Sequence, residues 1–445
     1  MLLDLTVTNV LSFNEPTSLN LIPGREQRGS SQLPLLKERY NRKVNPIAAL
    51  FGANASGKSN VTKTLDMLKQ VVDPRRRVVA DRLPYVPFLL DTDNRGEPSR
   101  IEILFEQDGY IYEYGVSYTA ENIVEEWLEL FLSRGSKSVF ERRDGQVWLD
   151  GAADPVRDPD DMLNVLAFTV PDHETLVRHI AEAKTVNAPT RLRSTIERIT
   201  TPNRFLQRML IVDSNFGSTG GFSTNMDTDW GDAITRIDAG IVGLTTKEVD
   251  IASLGLDEKE IEHYKQLCSD GSVTDAELPS GRYRFAVEDG NLKAEEVRLV
   301  HAGDKGHSAL PWLLESDGTK GVSRLFPLFE ELQRDGSGLI LVIDELDNSF
   351  HTELSLALLD GFLNTRTPES RSQLIFTSHD LLLMDPSRLR KDQIWVVEKG
   401  RQGATAITPL SDFENLRSDK DLRKAYVQGR FGGVPDIAPL YFGAK

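Results

Sequence analysis

Residues 52–59 read GANASGKS, which fits the phosphate-loop pattern G-x-x-x-x-G-K-[ST]. An apolar run at 46–51 precedes this loop and a helical pattern at 60–70 follows it, as the pattern requires. In such a loop the backbone N–H groups turn towards bound phosphates, and the N-terminus of the helix adds positive partial charge. Because strand, loop and helix occur in order, we favour a nucleoside triphosphate site over the alternative, a Gly/Ser surface turn.

Positions in this phosphate loop (residues 52–59) have expected roles. Lys58 can reach the β- and γ-phosphates, and the Ser59 hydroxyl can bind Mg²⁺. The residues predicted to contact the nucleotide are Gly52, Asn54, Ala55, Ser56, Gly57, Lys58, Ser59 and Asn60.

A second strand pattern at 339–343 reads LILVI and is followed directly by Asp344 and Glu345. A continuous apolar run is typical of a central parallel strand that is buried on both faces. At its carboxyl end, Asp344 is placed to hold Mg²⁺ beside Ser59, and Glu345 to act as the general base on a water molecule. The alternative is a strand that ends in a solvated acidic turn.

A third strand pattern at 373–378 reads QLIFTS and ends at His379. A histidine at this end of a strand can donate to a γ-phosphate and stabilise the charge that develops during phosphoryl transfer. Most of the seven histidines could be ordinary surface or core residues, but the position of His379 favours a functional role.

The segment 315–321 reads ESDGTKG and precedes a helical pattern at 322–332. A Ser-x-Gly turn at a helix start, here Ser316 and Gly318, can bind an anion through backbone N–H groups and a hydroxyl. The alternative is a simple helix cap, since serine before a helix is common. We refer to residues 315–321 as the signature turn.

Together these motifs resemble the ABC-type ATPase head of the SMC and DNA-repair ATPases. They resemble more closely the bacterial AAA/ABC-like ATPases of abortive-infection and overcoming-lysogenisation-defect type, which work in anti-phage defence. The resemblance covers roughly 1–150 and 285–445. Its matching segments are 5–13, 51–59, 315–319, 344–351 and 429–435.

This resemblance implies an α/β fold: a P-loop NTPase with an ABC/SMC-type head, a mixed sheet flanked by helices, and a helical insertion. It implies ATP and Mg²⁺ as cofactors, with Asp344 on the metal, Glu345 on the water and His379 on the γ-phosphate. Ser316 and Gly318 would contact ATP bound to a second subunit, and Asp347 would lie in the loop that joins the two sites. The sequence departs from the transporter signature at Glu315 and Thr319, and it shows no convincing Gln-loop.

Composition indicates a globular protein, with 39% hydrophobic and 27% charged residues among 445. No run is long and apolar enough for a membrane span, no signal-peptide pattern opens the chain, and the single cysteine, Cys268, fits a reducing compartment. We therefore expect a cytoplasmic protein.

A net charge of −16 argues against a surface devoted to nucleic acid. Local nucleic-acid contact stays open at two basic stretches: Arg75, Arg76 and Arg77, and Arg191, Arg193, Arg198, Arg204 and Arg208.

The chain is predicted to have three parts. Residues 1–153 form the first ATPase lobe, with the phosphate loop and a β-meander whose turns are Asp108-Gly109 and Asp144-Gly145. Residues 154–280 are predicted to be mostly helical, for example at 173–183, 203–212 and 257–268, with a glycine-rich loop at 215–223. Residues 281–445 form the second lobe, with the signature turn, the acidic strand, His379 and a C-terminal extension.

Two functions remain open. The first is an ATPase that assembles as a homodimer or larger homo-oligomer and controls a separately encoded effector, which the resemblance suggests is a Toprim-like (RloB-type) nuclease. The residues after His379 are too few for such a nuclease domain, so we expect it on another chain. The second is an SMC-like DNA-binding ATPase of repair or recombination, whose hydrolysis would respond to DNA. A small-molecule P-loop kinase is disfavoured, because the signature turn and His379 would have no role.

Overall fold

The computed structural model of the protein describes residues 1–36, 39–76, 82–156, 161–183, 190–213, 234–235, 240–269, 271–348, 351–413 and 422–434. The α-helices are α1 (Lys58–Val72), α2 (Met162–Thr169), α3 (Leu176–Glu182), α4 (Thr190–Ile199), α5 (Thr201–Gln207), α6 (Glu258–Leu267), α7 (Asp317–Gln333), α8 (Thr352–Asn364) and α9 (Leu422–Val427).

The strands are β1 (Leu2–Thr8), β2 (Thr17–Asn20), β3 (Leu35–Leu36), β4 (Arg42–Lys43), β5 (Ile47–Phe51), β6 (Ser99–Gln107), β7 (Tyr110–Tyr118), β8 (Ile123–Phe131), β9 (Ser136–Arg143), β10 (Gln146–Leu149), β11 (Met209–Val212), β12 (Ile241–Val249), β13 (Thr274–Leu278), β14 (Gly281–Glu288), β15 (Asn291–Gly303), β16 (Gly306–Pro311), β17 (Ile340–Ile343), β18 (Gln373–Ser378), β19 (Ile394–Lys399) and β20 (Thr405–Pro409).

The sheet that carries the nucleotide motifs has the strand order β11-β17-β18-β5-β19-β20. Strands β17, β18, β5 and β19 run parallel, and β20 pairs antiparallel with β19. Strands β5, β17 and β18 are buried along their whole length, as their continuous apolar sequences predict. Parallel strands end at the same edge of a sheet, so this topology places the segments after these three strands together. The mixed sheet with helices confirms the predicted α/β fold class.

The predicted β-meander is confirmed as an antiparallel sheet of order β10-β9-β8-β7-β6-β1-β2. Its predicted hairpin turns have both central residues at positive φ, at Asp108 (54°) and Gly109 (78°), and at Asp144 (49°) and Gly145 (71°). These are the angles that a two-residue hairpin needs to match the twist of its strands.

The chain divides into two compact units. The first unit comprises Met1–Ile211, Asp335–Leu346 and Asp360–Lys445, and the second comprises Val212–Arg334 and Asp347–Leu359. A continuous apolar core in the first unit joins its two sheets through α1, and includes Leu65, Leu68, Ile103, Phe105 and Val342.

In the second unit, β12, β15, β14 and β13 form an antiparallel sheet in that order, and β16 also pairs with β15. Cys268 is buried there against Tyr283 and Phe285. Within the described ranges, no helix has the length and apolar character needed to cross a bilayer.

The structure differs from the predicted helical middle part. Helices occupy its first half, and α6 lies within the predicted helix 257–268, but β11, β12 and β13 also lie in 154–280. Helix α5 ends at Gln207, and the remainder of the predicted helix 203–212 is β11, because the apolar run MLIV joins the edge of the sheet, where Ile340 N donates to Arg208 O (3.0 Å). The predicted boundary at 280 falls inside the antiparallel pair of β13 and β14. The glycine-rich segment 215–223 lies outside the described residues.

Candidate nucleotide site

The phosphate loop follows β5 and ends at α1, whose first residue is Lys58. Gly57 precedes the helix with φ 107°, a left-handed angle that glycine adopts at no steric cost. At Gly52 a Cβ atom would lie 2.3 Å from the Val397 carbonyl oxygen, so only glycine fits between the loop and β19. No side chain caps the start of α1 and its first turn carries no acid. These are the conditions under which a helix N-terminus attracts an anion.

Lys58 is 4% exposed and lies along the loop. Its Nζ donates to Gly52 O (2.8 Å) and Ala53 O (3.1 Å), and lies 3.4 Å from His379 Nδ1. The amino group therefore sits among the residues that the sequence predicted around the phosphates. Asn54 and Ala55 are exposed at the tip of the loop, and Ala55 has a positive φ of 62°.

The loop is supported by residues that the sequence analysis missed. Thr405 Oγ1, at the start of β20, lies 2.8 Å from Ser56 O and 2.7 Å from Ser12 Oγ, which in turn accepts from Asn60 Nδ2 (2.6 Å). A carbonyl oxygen can only accept, so the Thr405 hydrogen goes to Ser56 and the Ser12 hydroxyl donates to Thr405. A Cβ at Gly57 would lie 2.2 Å from the Thr405 hydroxyl, which shows how closely Thr405 packs on the loop.

The two predicted acids follow β17, where Thr377 of β18 contacts both. Thr377 Oγ1 donates to Asp344 Oδ1 (2.7 Å) and accepts from the backbone N–H of Glu345 (2.7 Å). The Thr377 carbonyl oxygen accepts from Leu346 N (3.0 Å). Glu345 has φ 60°, an uncommon conformation for a non-glycine residue and a recurrent feature of functional sites. Thr377 was also missed, although a fully buried threonine in an apolar strand calls for a hydrogen-bond partner.

His379 lies between the phosphate loop and the acids. Its Nε2 is 3.6 Å from Glu345 Oε1, while its Nδ1 faces Lys58 Nζ. The side chains of His379 and Glu345 are each 35% exposed, so water can reach both. The structure thus brings together Lys58, Glu345 and His379, whose individual roles remain predictions.

Ser316, Gly318 and Asp347 belong to the second unit. Ser316 is the N-cap of α7, where its hydroxyl accepts from Thr319 N (3.1 Å) and lies 2.8 Å from Thr319 Oγ1. The preceding Glu315 is buried and contacts His301, with Oε1 2.9 Å from Nε2. The signature turn therefore has the geometry of a helix cap, the alternative that the sequence left open, and its contact with a nucleotide stays a prediction.

Four arginines of the basic stretches bond to partners within the same chain. Arg75 contacts Asp73 (2.7 Å), and Arg76 contacts Asp66 (3.1 Å). Arg204 similarly contacts Asp108 (2.9 Å). Arg208 Nη1 donates to Gln107 Oε1 (3.0 Å). Arg77 lies outside the described residues. These internal partners give no support to a nucleic-acid surface, which stays an untested prediction.

The residues present fit a Mg²⁺-nucleotide. The close approach at Gly52 and the uncapped N-terminus of α1 suit phosphates, and a hydroxyl with one carboxylate suits a cation whose other ligands are phosphate oxygens and water. Ser59 and Asp344 would hold the cation, and Lys58 the phosphates. Among the described residues, no group of three or more His, Cys, Asp or Glu side chains could hold a metal by itself.

The family described as "AAA domain, putative AbiEii toxin, Type IV TA system" matches residues 47–166 and 236–385, together more than half of the chain. No curated protein matches the sequence of this chain. Among solved structures, the SMC head domain from Thermotoga maritima is 16% identical over 92% of this chain and 98% of that chain, with a TM-score of 0.33. The fold assignment rests instead on the sheet order and the phosphate loop described above.

Proposed function

Because the chain belongs to this family of AAA domains, we propose that it is a Mg²⁺-dependent ATPase whose cycle of ATP binding and hydrolysis controls a separate effector protein. The observation that carries the proposal is the convergence of three segments that are distant in sequence. Lys58 Nζ lies 3.4 Å from His379 Nδ1, and His379 Nε2 lies 3.6 Å from Glu345 Oε1. A phosphate-binding cation, a donor and a carboxylate base are the groups that hydrolysis of a phosphoanhydride needs.

In the proposed reaction, Lys58 and the first turn of α1 hold the phosphates, and Ser59 and Asp344 hold Mg²⁺. When bound, the metal neutralises charge on the phosphate oxygens. Glu345 accepts a proton from a water molecule whose oxygen bonds to the γ-phosphorus, and the bond from that phosphorus to the bridging oxygen of ADP breaks. His379 donates a hydrogen bond to a γ-phosphate oxygen. The products are ADP and inorganic phosphate, and Glu345 then releases its proton to the phosphate or to solvent.

The assembly in this proposal is a homodimer or a larger homo-oligomer. Ser316 and Gly318 act on ATP bound to the other copy, and Asp347 lies in the connection between the two sites. Two side chains next to the signature turn support a protein contact there: Leu313 is 56% exposed and Leu314 is 70% exposed. Adjacent leucines at this exposure are suited to burial against another protein surface.

The proposed output is control of an effector in anti-phage defence, with a Toprim-like (RloB-type) nuclease as the partner. The description of the family names a putative toxin and a TA system, which supports a toxic output. Such a switch would work in the cytoplasm. Repair or recombination on DNA is the less favoured alternative, since Arg75, Arg76, Arg204 and Arg208 already have partners within the chain.

The decisive experiment compares wild type with Glu345→Gln. The amide keeps the shape of the side chain and removes the base, and loss of one general base costs about 10²–10⁴-fold in rate. Glu345→Gln should therefore retain unhydrolysed ATP, measured by chromatography of the extracted nucleotide, in a larger species on a sizing column. Near-normal turnover in this variant would show that another residue is the base.

The effector proposal predicts that the purified protein alone cuts neither DNA nor RNA. Radiolabelled duplex and single-stranded substrates with Mg²⁺ or Mn²⁺ provide the assay, and Lys58→Ala is the matched control. Metal-dependent cleavage that persists in Lys58→Ala would overturn this part of the proposal, because it would require a nuclease site in this chain.

A further inference from the structure

Thr377 of β18 makes three hydrogen bonds to the turn that follows β17, residues 344–346. Its hydroxyl donates to Asp344 Oδ1 and accepts from Glu345 N, each at 2.7 Å, and its carbonyl oxygen accepts from Leu346 N at 3.0 Å. The side chain and the carbonyl oxygen of Thr377 thus fix three consecutive residues. Thr377 is fully buried, so its hydroxyl has these two partners and no contact with solvent.

These contacts bear directly on the direction of the Glu345 side chain. Glu345 has φ 60°, a strained conformation for a non-glycine residue that persists only where neighbouring contacts enforce it. The bond from Glu345 N to Thr377 Oγ1 is such a contact. Without it, the turn is free to relax towards negative φ, which would swing the carboxylate away from His379.

We propose that Thr377 is a positioning residue of the ATPase: it fixes Glu345 in its left-handed conformation and orients the Asp344 carboxylate, so that base and metal ligand are aligned before ATP binds. This inference rests on the proposed function, since it assigns Glu345 the role of base. Threonine suits the role because one hydroxyl can donate to a carboxylate and accept from a backbone N–H at the same time. Valine, which has the same shape, can do neither.

Thr377→Val and Thr377→Ser test the proposal. A misplaced catalytic group costs about 100-fold in rate, so kcat should fall about 100-fold in Thr377→Val and recover to within about threefold of wild type in Thr377→Ser. Binding of ATP without Mg²⁺, measured by thermal shift, should stay within about twofold. Added Mg²⁺ should raise the melting temperature further, and the Mg²⁺ concentration that gives half of this additional rise should increase about tenfold in Thr377→Val. This is the effect expected when a metal-binding carboxylate, here Asp344, loses its hydrogen-bond partner.

A matched control is Thr201→Val, because Thr201 is also fully buried and its hydroxyl bonds within the α4–α5 region, to Glu197 O (3.0 Å). This variant should keep the wild-type kcat. A second readout is independent of hydrolysis: amide hydrogen exchange of the peptide that contains Glu345, without nucleotide, should be faster in Thr377→Val than in wild type and Thr377→Ser.

The outcomes separate the two proposals. If wild type does not hydrolyse ATP, the proposed function fails, and hydrogen exchange still decides whether Thr377 holds the turn. If wild type is active and Thr377→Val keeps its kcat within twofold, the positioning role is overturned. Unchanged hydrogen exchange in Thr377→Val overturns it as well, and so does a Thr377→Ser variant that folds but is as slow as Thr377→Val.

Discussion

The phosphate loop and the signature turn both lie at the N-terminus of a long helix, α1 and α7, but these two helix starts are built differently. Helix α1 begins after Gly57, has no side-chain cap and carries no acid in its first turn. Helix α7 begins after Ser316, whose hydroxyl caps it, and carries Asp317 in its first turn. At the start of α1 no capping side chain and no acid compete with a phosphate, whereas α7 already has a hydroxyl acceptor and a carboxylate at the same place.

The contacts around the two turns differ in the same way. Thr405 supports the phosphate loop from 349 residues away, at Ser56, and Thr377 supports Asp344 from 33 residues away. The signature turn is held locally, by Thr319 and by His301, 14 residues from Glu315. From this difference we infer that the first turn is preorganised to bind nucleotide within one chain. The second would need to exchange its own cap for a ligand.

The largest expected effect separates the two turns directly. Lys58→Ala should weaken ATP binding about 100-fold, because a charge-assisted contact contributes about 3 kcal/mol, and should abolish hydrolysis. Ser316→Arg should also abolish hydrolysis, but ATP binding, measured by equilibrium dialysis, should stay within about threefold of wild type. A loss of ATP binding in Ser316→Arg would show that the signature turn acts on nucleotide in its own chain.

Mixing the two variants extends this test to the assembly. One composite site in a mixed dimer combines an intact phosphate loop with an intact Ser316, so the mixture should recover part of the wild-type rate while each variant alone is inactive. If both variants fold and associate yet the mixture stays inactive, the shared-site proposal is wrong.

A second effect concerns stability and the far end of α1. Lys69 in its last turn is 5% exposed, donates to Met209 O, and has its pKa lowered from 10.5 to about 8, mainly by desolvation. The lowered pKa corresponds to a cost of about 3 kcal/mol for holding this amine charged at pH 7, and the substitution also removes the hydrogen bond to Met209 O, about 1 kcal/mol. Lys69→Met should therefore raise the free energy of unfolding by about 2 kcal/mol in urea at pH 7.

The sign of the pH dependence follows from the lowered pKa of Lys69. Between pH 8 and 10.5 the unfolded state binds more protons than the folded state, so the wild type gains stability as the pH rises through this window. The advantage of Lys69→Met should accordingly be full below about pH 8 and shrink above it. An advantage that is constant from pH 7 to 10 would contradict burial of a charged amine.

A third, smaller effect tests the support of the phosphate loop. Thr405→Val removes the donor to Ser56 O and the acceptor for Ser12, and each bond contributes about 0.5–1.5 kcal/mol. We expect ATP to bind about tenfold more weakly by isothermal titration calorimetry, and Thr405→Ser to bind it as the wild type does. Equal weakening in both variants would indicate that the methyl group, and not the hydroxyl, supports the loop.

The sequence predicted those parts of the site that depend on local pattern. The apolar runs of β5, β17 and β18, the glycines of the loop and the residues that follow each strand are neighbours in the chain, so their arrangement can be inferred from periodicity and from the rule that parallel strands end together. Thr377, Thr405 and Ser12 could not be predicted, because each acts through a partner that only the folded sheet brings near.

Two other regions show the limits of local pattern. The run MLIV at 209–212 continued a helical pattern, yet it forms β11, since the edge of the parallel sheet offers backbone partners that a helix end does not. At Ser316 the same residue type suits a helix cap and a nucleotide contact. The chain displays the helix cap, and under the proposed function the nucleotide contact requires a second copy of the chain.

The smallest effect bears on that last point and uses Asp317. A carboxylate in the first turn of α7 stabilises the helix by about 0.3–1 kcal/mol through its interaction with the helix dipole. The same carboxylate would repel a phosphate that approaches the N–H groups of this turn. Asp317→Asn should therefore lower the free energy of unfolding by about 0.5 kcal/mol while steady-state hydrolysis stays equal or rises by about twofold at limiting ATP. Lys320→Gln, in the same turn, removes a positive charge and serves as the control for a charge change of opposite sign.

If Asp317→Asn instead slows hydrolysis about tenfold or more without a matching loss of stability, the Asp317 carboxylate itself contributes to the composite site. The starts of α1 and α7 would then differ in charge because they bind different parts of the nucleotide. The difference would not mean that α7 must first release its own cap before it can bind a ligand.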